Sequence, residues 1–280
     1  MRIDTSILNR RTALALIFAI LAPHASAKSC ESYNPYKYTG TAELEVFTFS
    51  PLPGTAEWKN ATLAFREGQG PNPRESFKVE DSELLSYSTE SLLWTALRYP
   101  RRQPWGTYSI AHPSFAGLER NFYRRFSGAE IARERSDFTA ALLNLHRQHE
   151  PSDLRNCPFD SELHRSYFQE DLGLLEILLS SKDVQNKLSP REKEDLLLLV
   201  LDRYGERKGQ TAGNGTSAAL VGRILLSLGD PAFQHECEGN EKLARFLENP
   251  HVDITNRYPY ADEVMESGRR WIDKRGRSDE

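Results

Sequence analysis

From about residue 81 onwards, the apolar residues of this chain recur at helical spacing, and this pattern limits the fold more than any other feature. Ser189-Pro190-Arg191-Glu192 is the strongest local helix start. It combines an N-cap serine, a proline at the first helical position and a glutamate three residues after the cap. Helical patterns cover roughly 160–181, 190–204, 217–228, 240–248 and 260–274. Short helices joined by short loops pack as antiparallel neighbours, so the sequence predicts a mainly α-helical fold.

Three further helices are predicted upstream of these. Thr89 is the expected N-cap of the first helix. The second carries one apolar stripe, made by Phe115, Leu118, Phe122 and Phe126. The third is expected to run unbroken from a capping box at Ser127 to the residue before Pro151.

The predicted helix starts lie 20 to 30 residues apart, which is near the size of a helix-hairpin repeat subunit. No residue pattern recurs at a fixed period. We therefore predict an irregular antiparallel α-helical array, which loosely resembles armadillo or HEAT stacks in its helix rhythm alone. The run from Leu196 to Leu201 is apolar on all sides, which predicts that its helix lies in the middle of the array.

Residues 28–80 are expected to differ from the helical part by forming a small N-terminal β-hairpin or extended region. Ala42 to Phe49 alternates apolar and polar residues, as a half-buried strand does, and Ala61 to Arg66 is a short candidate to pair with it. One hairpin is only marginally stable alone. We therefore expect it to pack with the helical domain, residues 81–280, as one globular unit.

Residues 1–27 have the pattern of a secretory signal peptide. A basic segment with three arginines precedes a ten-residue apolar run, Ala13 to Ala22, which is too short to span a bilayer. Ala25-Ser26-Ala27 is a small-residue cleavage site. Cleavage before Lys28 predicts an exported soluble protein, periplasmic in a bacterium and secreted otherwise. No later apolar run reaches membrane-spanning length, so no stable membrane insertion is expected.

The net charge argues against a general nucleic-acid binder. It is −4 for the whole chain, and removal of three arginines and one aspartate with the signal segment brings it to −6.

All three cysteines remain in the mature chain. An oxidising compartment predicts one disulfide and one remaining thiol. Three pairings are possible with Cys30, Cys157 and Cys237. Cys30–Cys157 is favoured because it would tie the mature N-terminus to the helical body.

The segment from Arg98 to Phe126 is the most distinctive candidate surface, because arginines and aromatic residues alternate there in an otherwise acidic chain. Arginine and aromatic side chains are the favoured anchors of protein interfaces, so the segment predicts contact with another protein. The candidate contacts are Arg101, Arg102, Trp105, Arg124 and Arg125. In the alternative interpretation the aromatic residues belong to the core and the arginines form a solvated rim.

His146 and His149 are the weak candidates for a metal site. At a spacing of three they share a helix face next to Glu150. Their order differs from the H-E-x-x-H of zinc proteases, and the alternative is one histidine at the core edge and one exposed. Neither a nucleophile elbow nor a phosphate or dinucleotide loop is present, so no metal or other cofactor is expected.

These features predict an exported, non-enzymatic protein-binding module, for example a periplasmic immunity-type inhibitor of a toxin. Two alternatives stay open. One is a cell-envelope hydrolase, in one version metal-assisted through His146, His149 and Glu150. The other is a structural or assembly factor of an envelope complex.

The first testable prediction concerns export. Because the cleavage site precedes Lys28, N-terminal sequencing of the protein recovered from the exported fraction should begin at that residue. A sequence that begins at Met1 would contradict the signal peptide and the oxidising compartment that the disulfide requires.

Overall fold

The computed structural model describes residues 56–73, 77–99, 114–149, 162–207, 214–250 and 260–278. Within these ranges the chain forms thirteen helices and no strand. The helices are α1 (Ala56–Arg66), α2 (Asp81–Leu84), α3 (Thr89–Arg98), α4 (Phe115–Arg125), α5 (Ser127–Glu134), α6 (Phe138–Gln148), α7 (Glu162–Leu179), α8 (Lys182–Lys187), α9 (Pro190–Arg207), α10 (Asn214–Leu228), α11 (Pro231–Gly239), α12 (Glu241–Glu248) and α13 (Ala261–Ser278). The predicted mainly α-helical array is confirmed.

Helix α9 begins at the predicted capping box. The backbone amide of Ser189 donates to Glu192 Oε2 at 2.8 Å, and the amide of Glu192 donates to Ser189 Oγ at 3.3 Å. The box satisfies amides that the first helical turn cannot bond internally. The hydrogen bonds from the Ser189 hydroxyl and amide lower the pKa of Glu192.

Two short helices, α8 and α11, were not predicted from the apolar spacing. Ser181 Oγ accepts a hydrogen bond from the Val184 amide at the start of α8, at 3.4 Å. Asp230 Oδ2 accepts one from the Phe233 amide at the start of α11, at 3.2 Å. Both capping residues are of the type that favours helix starts, but the helices are too short to show a clear apolar period.

Two upstream helix boundaries differ from the prediction. The N-cap of α3 is Ser88, whose Oγ accepts from the Ser91 amide at 3.1 Å, whereas Thr89 donates to Asp137 Oδ1 at 2.6 Å. The long helix expected after Ser127 is two helices, because Arg135 adopts an extended backbone between them. The Arg135 guanidinium also donates to two backbone carbonyls of the segment after α2, which holds the break in place.

The expected pairing of Ala61 to Arg66 as a strand is wrong, because these residues belong to helix α1. Alanines at three positions of α1 give it high helix propensity. Its Trp58 ring stacks on Phe77 with centroids 5.3 Å apart, which joins α1 to the core. The predicted strand from Ala42 to Phe49 lies outside the described residues.

Helix α10 occupies the middle of the array. It packs against α7, α8, α9, α11, α12 and α13. The run from Leu196 to Leu201 was expected in this position, but Leu198 is 47% exposed, so α9 keeps one side towards solvent. Residue size explains why α10, and not α9, lies in the middle of the array. Helix α10 contains small residues such as Gly222, where there is no room for a side chain: a Cβ atom would lie 2.5 Å from a methyl carbon of Leu247.

One continuous core of buried apolar side chains extends from Phe77 to Trp271. No helix in the part of the chain that the structure describes combines the length and apolar character that a bilayer crossing needs.

The capping box at Ser189 yields a prediction with a defined pH dependence. Replacement of an N-cap serine by alanine costs about 1 kcal/mol, so Ser189→Ala should lower the free energy of unfolding by that amount at neutral pH. A carboxyl group whose pKa is lowered by folding stabilises the protein at pH values above its pKa in the unfolded chain. This stabilisation is lost as the pH falls through the pKa in the folded protein. The difference between wild type and variant should therefore shrink as Glu192 becomes protonated, below about pH 4.5.

Urea unfolding at neutral and acidic pH measures this difference. The capping box expected at Ser127 is wrong, because the N-cap of α5 is Phe126 and no side chain caps the helix. Ser127 is exposed and lies inside α5, so Ser127→Ala is the matched control. An equal loss of stability for both variants at both pH values would contradict the role of the box.

Candidate functional site

The structure describes two of the five predicted partner contacts. Arg124 is exposed and Arg125 is half-buried, both in the last turn of α4. Three contacts lie outside the described residues: Arg101, Arg102 and Trp105. Five aromatic side chains of the same segment are buried in the core: Tyr99, Phe115, Phe122, Tyr123 and Phe126. In the described part, therefore, the aromatic residues are not surface anchors, and partner contact by the arginines stays a prediction.

The predicted disulfide also falls outside the described residues. Cys30 and Cys157 both lie there. Cys237 is the cysteine that the structure describes, and it forms no disulfide within the described ranges. The Cys30–Cys157 pairing stays a prediction.

His146 and His149 are both buried, with exposed fractions of 0% and 3%. The expectation that one is exposed is wrong, because α6 packs against α3 and also against α7. His149 Nδ1 lies 2.8 Å from the Leu145 carbonyl oxygen, and its ring centroid lies 5.4 Å from that of Trp94. Glu150 is outside the described residues. Within them, no group of three or more His, Cys, Asp or Glu side chains is placed to hold a metal ion.

A buried carboxylate links the helices around His146. Glu176 of α7 is 1% exposed. Its Oε1 accepts a hydrogen bond from Ser217 Oγ at 2.7 Å, and its Oε2 accepts one from Thr216 Oγ1, both residues of α10. His146 Nε2 lies 4.0 Å from Glu176 Oε1. Hydrogen bonding offsets the cost of burying this carboxylate, so the cluster fixes α7 relative to α10, and His146 of α6 lies beside it.

The spacing of apolar residues did not predict this cluster. The available signal was a single glutamate inside the apolar run from Leu172 to Leu179, since a charged residue in such a run must find polar partners when the helix is buried. Which residues supply them depends on the packing of α10 against α7. The cluster lies in the interior, so it stabilises the fold and is not an accessible site.

A second polar link joins α9 to the end of α6. The Arg203 guanidinium donates to the carbonyl oxygens of His146 at 2.5 Å and Arg147 at 2.7 Å. Carbonyls in the last turn of a helix lack the regular helical donor, so an arginine from a neighbouring helix can bond to them. At His146 it does so beside the C-cap amide of His149, which donates to the same carbonyl oxygen at 3.2 Å. Arg203 is 3% exposed, and its charge is used inside the fold.

Charged residues also bridge α4, α5 and α8. The Arg133 guanidinium lies 4.9 Å from the Tyr123 ring centroid and donates to Asp183 Oδ2 at 3.2 Å. Burial raises the pKa of Glu119, and burial together with the nearby Glu119 charge raises the pKa of Tyr123. These contacts hold α4 on the array. Glu119 and Tyr123 both keep their protons to a higher pH than they would in water.

The accessible candidate site is a groove of about 840 Å³ between α11 and α13, with contributions from α9 and α12. Its lining contains four carboxylates and two guanidinium groups. Tyr204 of α9 donates to Asp262 Oδ1 at 3.0 Å on the α13 side. His235 of α11 is 89% exposed, and its Nδ1 lies 3.9 Å from Glu238 Oε2. None of the predicted contact residues that the structure describes lines this groove.

Three polar side chains tie the two walls of the groove together. Glu236 of α11 accepts a hydrogen bond from Arg270 of α13 at 2.5 Å and one from Ser267 of α13 at 2.7 Å. Arg270 also donates to Ser267 Oγ at 2.9 Å, which closes the ring. We call Glu236, Ser267 and Arg270 the clasp. The charged groups of the clasp bond to each other and so hold the two walls of the groove in place. This arrangement suits a binding surface of fixed shape.

Comparisons with protein-family models, with curated proteins and with solved structures each give no significant match to this chain. The site is therefore interpreted from its own geometry.

The buried Glu176 cluster leads to a prediction on stability. Glu176→Leu removes the acceptor of two buried hydroxyls, and a buried polar group without a partner costs roughly 1–3 kcal/mol, so the loss in unfolding free energy should be about 3 kcal/mol or more. The triple variant Glu176→Leu, Thr216→Val, Ser217→Ala should recover a large part of that loss, because no hydroxyl is then left without its acceptor.

Urea unfolding of both variants tests this prediction. Glu134→Leu on the exposed side of α5 is the control and should change stability by no more than about 0.5 kcal/mol. A triple variant that is no more stable than the single variant would show that the hydroxyl–carboxylate bonds are not the source of the loss.

Proposed function

We propose that this protein is an exported, non-enzymatic protein-binding module, and that the groove between α11 and α13 receives its partner. The observation that carries the proposal is the groove itself: an accessible groove with a volume of about 840 Å³, in which charged side chains are held by bonds to one another. Export is argued from the signal-peptide pattern of residues 1–27.

The packing of both walls supports a preformed binding surface. Gly268 of α13 lies so close to α9 and α10 that a Cβ atom there would be 3.1 Å from side-chain carbons of Leu201 and Val221. On α11, Phe233 is 1% exposed and anchors that helix in the core. A surface held in shape before binding loses less conformational entropy when the partner arrives.

The charge of the groove indicates the kind of partner surface that it fits. Four carboxylates against two guanidinium groups leave an excess of negative charge. Complementary charge speeds association and selects partners, so we expect a partner segment that carries basic residues, and binding that weakens as salt is added.

In a bacterium this role corresponds to a periplasmic immunity-type inhibitor of a toxin, or to an assembly factor of an envelope complex. The metal-assisted hydrolase through His146 and His149 has less support, because both imidazoles are buried. The arginines around Arg124 remain a second candidate surface, and the experiment below distinguishes them from the groove.

The test compares charge reversals of equal size at two places. Tagged mature protein captures partners from the native exported fraction, and calorimetry then measures the affinity of any stoichiometric partner. Glu263→Lys with Glu266→Lys changes the groove. Glu130→Lys with Glu134→Lys changes exposed positions of α5 and is the matched control.

We expect the groove variant to bind at least about tenfold more weakly, a change of about 1.4 kcal/mol, and the control to bind like the wild type. If changing Arg101, Arg102, Arg124 and Arg125 to serine abolishes binding while the groove variant binds normally, the partner surface is the arginine segment. Failure to recover any stoichiometric partner would contradict the binding function.

A further inference from the structure

The two walls of the groove are attached to the fold in different ways. Helix α13 packs closely against α9 and α10, and the position of Gly268 shows how tight that packing is. Helix α11 packs against α10 and α12, and its one fully buried side chain is Phe233. The clasp joins α11 directly to α13 across the groove.

We propose that Arg270 is a positioning residue, which holds α11 against α13 and so sets the width of the groove. Its side chain is 47% exposed and that of Glu236 is 38% exposed, so water screens this ion pair only in part. The Arg270 guanidinium donates to the Glu236 carboxylate of α11 and to the Ser267 hydroxyl of its own helix, α13. Together these two bonds fix the direction in which Arg270 spans the two helices.

We expect the fold to survive loss of the clasp. Ser267 Oγ also lies 3.0 Å from the Glu263 carbonyl oxygen of its own helix, one turn earlier. When the clasp is lost, the hydroxyl keeps this acceptor within α13. Phe233 still anchors α11. Loss of Arg270 should therefore loosen α11 at the groove and leave the helical array intact.

The adjacent residue provides a matched control. Arg269 also lines the groove on α13, but its ion pair with Glu266, at 3.4 Å, lies within one helix. Arg269→Gln removes the same charge as Arg270→Gln and breaks no link between helices. A difference between the two variants therefore reports the link between α11 and α13, and not the net charge of the groove.

Cys237 is an internal reporter of the position of α11. It follows Glu236, is half-buried and packs against the core. Burial raises the pKa of its thiol, and the Glu236 charge raises it further. Removing Arg270 leaves the Glu236 charge less compensated, which by itself would slow alkylation of the thiol. Faster alkylation can therefore come only from greater access.

The experiment pulses the mature full-length protein with iodoacetamide and quantifies labelling of the Cys237 peptide by mass spectrometry. Arg270→Gln should label about fivefold faster than the wild type, since loss of the pair favours local opening, whereas Arg269→Gln should label at about the wild-type rate. Arg270→Lys keeps one charged donor and should restore part of the protection. Circular dichroism should show an unchanged helix content for all variants.

An unchanged rate for Arg270→Gln, or an equal increase for Arg269→Gln, would overturn the positioning role. The effect on binding rests on the proposed function and is measured separately, as the affinity for the captured partner. Faster labelling with weaker partner binding supports both proposals. Faster labelling with unchanged binding supports the clasp and overturns the groove as the partner site.

Discussion

Burial of α10 from residue 215 to residue 222, with only its last turn reaching solvent at Leu226, is the constraint on which the rest of the structure depends. A helix in this position needs small residues where its neighbours approach, and Gly222 provides one opposite Leu247. It also needs partners for any polar group that it buries. Thr216 and Ser217, in its first turn, are both 1% exposed and donate to Glu176, so the same contact that satisfies α10 also orients α7.

Several arginines serve this helical array internally. Arg203 donates to the last carbonyls of α6. Arg223 of α10 donates to the carbonyl oxygens of Leu247 at 3.0 Å and Ser180 at 2.9 Å, at the ends of α12 and α7. Each bond adds a donor to a carbonyl at the end of a helix, and each connects two helices. Arg203 and Arg223 are therefore used inside the array, at the ends of helices.

The groove arises where the array meets solvent at α11 and α13. Its charged residues stand far apart in the sequence: Glu236 and Arg270 are separated by 34 positions. The exposed arginines of α4 and the acidic groove give the molecule two surfaces of different character, while the aromatic side chains between those arginines remain in the core. The chemistry of the groove thus depends on two helices brought together by packing against α10.

The sequence by itself determined the helical class, the position of five C-terminal helices and the capping box at Ser189, because these depend on residues within one or two turns of each other. Only the tertiary structure decided that α10 and not the leucine run of α9 is central, that both histidines are buried, and that Glu236 meets Arg270. These outcomes depend on which surfaces of distant helices come into contact. Local spacing carries no information about that choice, since packing energy is shared among many residues that are remote in the chain.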